Sequence, residues 1–168
     1  MIRASTRSGA LALAEVQKKS WRSQIDERAW TALKIELPHD LGVTLALLDD
    51  IDLSKTAIGD PVRARLENDL KSKGRILIAK SAAVSGRVTR LEAHSDFMMV
   101  GLMFDEIESP AAHARVRLRM VSVALADHVS ARGNYLLAPV VAGEGIIPVR
   151  AGRTHLNRGL LMSWSTEP

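Results

Sequence analysis

The chain has 168 residues, no cysteine, a formal net charge of +4 and only 4% aromatic residues. That length allows one domain with a proper core, which must be packed with Leu, Val, Ile, Met and Ala rather than with rings. The missing cysteines exclude disulfides, thiolate metal sites and cysteine nucleophiles, while the modest basic balance favours contact with polyanions without specifying a fold. No apolar run approaches the roughly 20 residues of a membrane-spanning helix.

Residues 1–30 read as an N-terminal segment, partly helical, and 31–168 as a single β-barrel-like domain. Arg3 and Arg7 precede a small apolar run that stops at Glu15, short of a secretory signal, so an ordinary soluble N-terminus is expected. Between residues 10 and 30, Leu13, Val16, Trp21, Ile25 and Ala29 recur at helical spacing, with Lys18, Lys19, Arg22, Asp26 and Glu27 mostly opposite. A helix covering one end or edge of a sheet is the expectation, and the alternative, a basic amphipathic segment resting on a membrane surface, is weakened by Glu15, Asp26 and Glu27.

From Thr31 the period changes to two. Leu33, Ile35 and Leu37 oppose Lys34 and Glu36, as in a half-buried strand, until Pro38 interrupts. Val43 to Leu48 is almost wholly apolar, which predicts a strand buried on both faces or centrally placed. A polar excursion follows over 49–56. Asp49, Asp50 and Asp52 suggest calcium, but the glycine and closing glutamate of an EF-hand are missing, and acidic turn residues bonding their own backbone are expected instead.

Val62, Ala64 and Leu66 then alternate with Arg63, Arg65 and Glu67. Residues 71–74 form a tight turn in which Gly74 supplies a positive φ. Strands are predicted over 75–79 and 84–91, with Gly86 marking a bulge, a barrel bend or a close backbone approach. The most apolar segment is 97–107, with Gly101 in its middle; its Met98, Met99 and Met103 suit either an adaptable binding surface or a core strand, and the core strand is the expected account.

The cleanest alternation runs from Ala114 to Val123, with Val116, Leu118 and Met120 on one face and Arg115, Arg117 and Arg119 on the other. Three guanidinium groups about 7 Å apart, joined by Arg63 and Arg65 from another strand, would make a candidate polyanion-binding stripe. The competing account is a solvated face whose arginines pair with Glu67, Glu92 or Glu106. Because the chain has one Tyr and two Phe to stack on bases, the solvated face is favoured. Residues 124–145 read as a loop-rich crossing with a short strand around Tyr135 and a mobile stretch near Gly143 and Gly145. Strand character resumes at Ile146–Val149, a turn occupies 150–159, and Leu160–Trp164 closes the chain, Trp164 plugging the core.

No catalytic constellation emerges. His39, His94, His113, His128 and His155 are scattered singly, without a His-x-x-x-His pair. Ser85-Gly86 lacks the first glycine of a nucleophile elbow, and Gly143-Glu144-Gly145 runs into Ile147-Pro148 where a dinucleotide loop needs a third glycine and a helix. No catalytic, cofactor or metal residue is assigned, and the chain is expected not to be an enzyme.

Several motifs carry a family likeness. Gly59-Asp60-Pro61-Val62 fits a "Gly-Asp-x-Val" step. Ile78-Ala79-Lys80-Ser81, ahead of Gly86-Arg87-Val88, stands where an "Ile-Pro-Lys-Gly" turn precedes "Gly-x-Val". With these, residues 37–91 resemble the C-terminal β-barrel module of conjugative-transfer (type IV secretion) channel proteins and a group of acidobacterial envelope-type proteins. The latter are also resembled over 145–149 and 159–166. The resemblance implies a barrel and an association with the bacterial envelope or a secretion apparatus, hence a periplasmic or envelope location, with a cytoplasmic one if the N-terminus is native.

The sequence thus predicts an all-β barrel or sandwich of eight to ten mostly antiparallel strands with one N-terminal helix. Its expected role is a non-enzymatic structural or interaction module that contacts another protein or a second copy. The alternative is a basic β-domain binding nucleic acid or another polyanion through Arg63, Arg65, Arg115, Arg117 and Arg119.

Overall fold

The computed structural model describes residues 33–124 and 141–168; the helix expected over 10–30 and the short strand expected near Tyr135 lie outside the described residues. In chain order the strands are β1 (Leu33–Lys34), β2 (Gly42–Leu47), β3 (Ile51–Asp52), β4 (Pro61–Leu66), β5 (Leu70–Ser72), β6 (Arg75–Ile78), β7 (Ala83–Ala93), β8 (Phe97–Glu108), β9 (Ala112–Arg115), β10 (Leu118–Val123), β11 (Glu144–Arg150), β12 (His155–Leu156) and β13 (Leu161–Thr166). All-β architecture therefore holds for the described residues.

Nine strands form one sheet, in the order β1-β9-β8-β7-β4-β2-β13-β10 with β11 also on β8. The ladders among β2, β4, β7, β8, β9, β10, β11 and β13 are antiparallel. The small pairs β3–β12 and β5–β6 stand apart. Of these, β6 is the strand expected over 75–79, while β3, β5 and β12, with two or three residues each, are too short to show a period and add to the predicted strands.

Strand β8 organises the sheet. Phe97–Met103 pair with β11 on one side, Glu106–Glu108 pair with β9 further along that side, and β7 runs down the other. Strand twist, with bulges in β7, curls the sheet into a half-barrel, so that one face of each strand turns inward. Beyond β13, β10 approaches β11, where Met120 and Trp164 lie against Gly145.

The inner face is aliphatic, as the composition required. Val62, Ala64 and Leu66 of β4 are buried while Arg63 and Arg65 are exposed. Leu45, Val84, Leu102, Ile107, Leu118 and Ile147 fill the interior around Trp164 and Phe104. Those two rings meet edge to face at 5.5 Å, worth about 1 kcal/mol beyond the area they bury. Trp164 thus lies in the core, although its Nε1 has no hydrogen-bond partner among the described residues. Met99 and Met103 are buried, as a core strand requires.

The sheet also explains two glycines. Gly86 follows a bulge at Ser85, and an added Cβ there would lie 2.1 Å from the Met103 carbonyl oxygen. At the β5–β6 turn, Lys73 (φ 50) and Gly74 (φ 76) are both left-handed, as a two-residue hairpin loop of matching twist demands.

Three expectations are corrected. The strand expected over 31–37 is confined, within the described residues, to Leu33–Lys34, although Ile35 and Leu37 still pack on the core. The Gly143 to Gly145 stretch leads directly into β11, with Glu144 and Gly145 buried. The single strand expected from Ala114 to Val123 is two, β9 and β10, on different partners. The Val116 N–H donates to Asp105, but the Arg117 carbonyl accepts from Glu167, so the chain changes neighbours between these residues. Alternation persists through the break because both halves keep the same face toward the core.

Candidate functional site

The five arginines singled out by sequence all point outward, but they do not form one stripe. Arg63 and Arg65 sit on β4, Arg115 on β9 and Arg119 on β10, with Arg117 in the crossing between the last two. Register does place Arg63 and Arg115 in one cross-strand row, Arg63–Ser85–Glu106–Arg115, spanning four strands. A carboxylate interrupts that row.

Most of these guanidinium groups are engaged within the chain. Arg63 grips Asp49 through two hydrogen bonds, Nε to Oδ2 at 2.8 Å and Nη2 to Oδ1 at 2.9 Å. This fork holds the Asp49 carboxyl below its ordinary value and raises Arg63 above its own. Arg65 donates to Glu67 at 2.8 Å, Arg119 lies 3.3 Å from Glu167, and Arg117 donates to the Pro168 carbonyl oxygen at 3.0 Å. Nearby, Arg87 pairs with Asp105 and His113 with Glu106. Arg115 alone of the five makes no ion pair or side-chain hydrogen bond among the described residues. This face is a lattice of alternating charges, and exposed pairs of this kind stabilise little because solvent screens them.

The acidic loop after β2 borders a cleft of about 190 Å³ lined by Asp49, Asp50, Thr56, Asp60, Val62 and Val88, among others. Its carboxylates are each engaged by separate partners within the chain. Asp50 accepts from the Arg158 backbone N–H at 2.6 Å and Asp60 from that of Ala57 at 2.9 Å, while Asp49 is held by Arg63. Asp52 accepts from both the N–H and the hydroxyl of Ser54, bonds that lower its pKa. Of Asp49, Asp50 and Asp52, only Asp52 behaves as the expected acidic turn residue bonding local backbone; Asp49 is held by a side chain and Asp50 ties the loop to Arg158, 108 residues away.

One charged cluster was not anticipated. The Glu144 side chain is 2% exposed and Arg90 10%, with Arg90 Nε 3.8 Å from Glu144 Oε1. The Thr89 hydroxyl donates to the same oxygen at 2.9 Å. Room for all three comes from Gly101, where an added Cβ would stand 2.6 Å from both Glu144 Oε1 and Thr89 Oγ1. Burying two charges is tolerable only when they are paired and hydrogen-bonded, so this cluster fixes the junction of β7, β8 and β11. The available signal was a glutamate between two glycines together with a glycine inside the most apolar strand.

Of the four described histidines, His39 is exposed in the turn before β2, His94 stacks on Phe97, His113 binds Glu106 and His155 hydrogen-bonds Thr154, each in a different place; His128 lies outside the described residues. Among the described residues no group of three His, Asp or Glu side chains could hold a metal ion, and no helix is long and apolar enough to cross a membrane. No protein-family model matches the chain, and neither a curated protein nor a solved structure shows significant similarity to it.

Proposed function

We propose that this chain is a non-enzymatic structural or protein-interaction module that uses the β10–β13 side of its sheet to contact another protein or a second copy. The observation that carries this reading is apolar exposure at an edge. Val121, in the β10 bulge, is 61% exposed and Leu161 of β13 is 43% exposed, and β10 ends the strand order. An edge strand flanked by exposed aliphatic side chains gains by pairing with, or being covered by, another chain. The resemblance to secretion-channel and envelope-type barrels supports an envelope or secretion setting, to be checked by cell fractionation.

The test is sedimentation velocity over a concentration series, with cross-linking. Self-association that disappears in Val121→Lys and Leu161→Lys supports the reading with a second copy as the partner. If the chain stays monomeric and neither variant alters any cross-linked product, the reading fails. The second reading, a polyanion-binding face, draws on Arg115, which stands exposed without an ion pair among the described residues. Replacing Arg115, Arg117 and Arg119 by Gln would then abolish retention on heparin, and unchanged retention would remove it.

A further inference from the structure

The β5–β6 hairpin differs from the charged face of β4, β7 and β8, where cations and carboxylates alternate. Between Asp69 and Lys80 it carries four cations, Lys71, Lys73, Arg75 and Lys80, against a single carboxylate. That carboxylate sits at the base, where Asp69 accepts from the Lys80 backbone N–H at 2.8 Å and lies 4.0 Å from Lys71. Lys73 and Arg75, at the tip, make no ion pair among the described residues. This contrasts with the arginines of β4, which carboxylates neutralise.

The hairpin is also amphipathic. Leu70 and Ile78, each 1% exposed, root its base in the core. Beyond them Lys71 opposes Ile76 and Ser72 opposes Arg75. Ile76 is 56% exposed, so a large aliphatic side chain stands in solvent among the cations. The left-handed pair Lys73 and Gly74 fixes the turn, so the tip is presented without a large ordering cost.

We propose that the β5–β6 tip docks on an anionic lipid surface, with Lys71, Lys73 and Arg75 at the headgroups and Ile76 entering the acyl boundary. Charge complementarity alone would serve a nucleic-acid backbone equally well, because phosphate attracts cations in either setting. Ile76 decides between them: an aliphatic side chain gains nothing from a phosphate groove, but gains from leaving water for acyl chains. The site is separate from the β10–β13 edge, so Val121→Lys should leave it unaffected.

Co-sedimentation of the full chain tests this with vesicles of phosphatidylcholine alone and of phosphatidylcholine and phosphatidylglycerol in equal parts. Binding is expected only to the mixed vesicles and should weaken as salt rises. At about fivefold per cation near an anionic surface, Lys73→Gln with Arg75→Gln should weaken binding on the order of 30-fold. Ile76→Ser should weaken it about tenfold. All three changes lie at exposed positions, and an unchanged melting temperature confirms the fold in each variant. Absence of binding to mixed vesicles overturns the proposal. So does binding that ignores these substitutions, or duplex DNA bound in place of vesicles with no dependence on Ile76.

Discussion

Replacing Gly86 by alanine is the sharpest test of how β7 and β8 fit together. The new Cβ would lie 2.1 Å from the Met103 carbonyl oxygen and 2.7 Å from the Phe104 ring. Real Cβ contacts start near 3.0 Å, so the β8 backbone must retreat by about 1 Å. The oxygen belongs to a strand held on both sides by β7 and β11, and it cannot rotate away as a side chain would. Weakening two or so ladder bonds at about 1 kcal/mol each, together with disturbed packing around Phe104, gives a loss of about 3 kcal/mol or more. For a domain of this size that corresponds to a fall in Tm of about 6–12 °C. Thermal unfolding followed by circular dichroism measures it, with Gly42→Ala as control, since nothing lies within 4 Å of a Cβ at Gly42. A Gly86→Ala protein that melts within about 2 °C of the parent would refute the close approach.

Three further outcomes are expected. Glu144→Ala should cost about 3 kcal/mol in urea unfolding by leaving Arg90 buried beside a lost partner, whereas Glu92→Ala, removing the half-exposed partner of the same arginine, should cost less than about 1 kcal/mol; equal losses would mean that burial is not what matters. Trp164→Phe should stay within about 1 kcal/mol of the parent, because the lost packing is offset by removing an unpaired buried N–H, while Trp164→Ala should lose about 3–5 kcal/mol; a Phe variant as damaged as the Ala one contradicts this. The Asp49 carboxyl is held low by its hydrogen bond to Arg63, so the stabilisation it gives is present above the unfolded-state value and fades as pH falls through the lower folded-state value, below about pH 4. Carboxyl NMR titration should show the Asp49 midpoint rising toward its ordinary value in Arg63→Gln, and an unmoved midpoint would sink the assignment.

Much of the sheet was legible because each strand's inward set is local. Val62, Ala64 and Leu66 announce a half-buried strand, and Gly86 inside a strand pattern announces a bulge, a bend or a close backbone approach, of which the structure has the first and the last. Partner choice is not local. The alternation through Arg115, Arg117 and Arg119 is real, yet nothing in a period of two tells that the chain leaves β8 and joins β13 midway. The Glu144 cluster was hidden for a related reason, since its partners Thr89 and Arg90 and its space at Gly101 lie more than 40 residues earlier. In sequence the hairpin tip is a turn and a strand and no more; its mixture of cations with an exposed Ile76 depends on burial, which separates Ile76 from Ile78.

Strand β13 lies between β2 and β10, so that Met162 meets Leu45 across a ladder. During synthesis β2 must therefore wait, with one row of backbone donors and acceptors unclaimed, until more than 100 further residues have been made. Assembly of this half of the barrel is accordingly a late event with a large loop-closure cost, on the millisecond-to-second scale of long-range β folds. In that interval the apolar β2 is the segment a holding chaperone would recognise, and the one through which two nascent copies would first stick together.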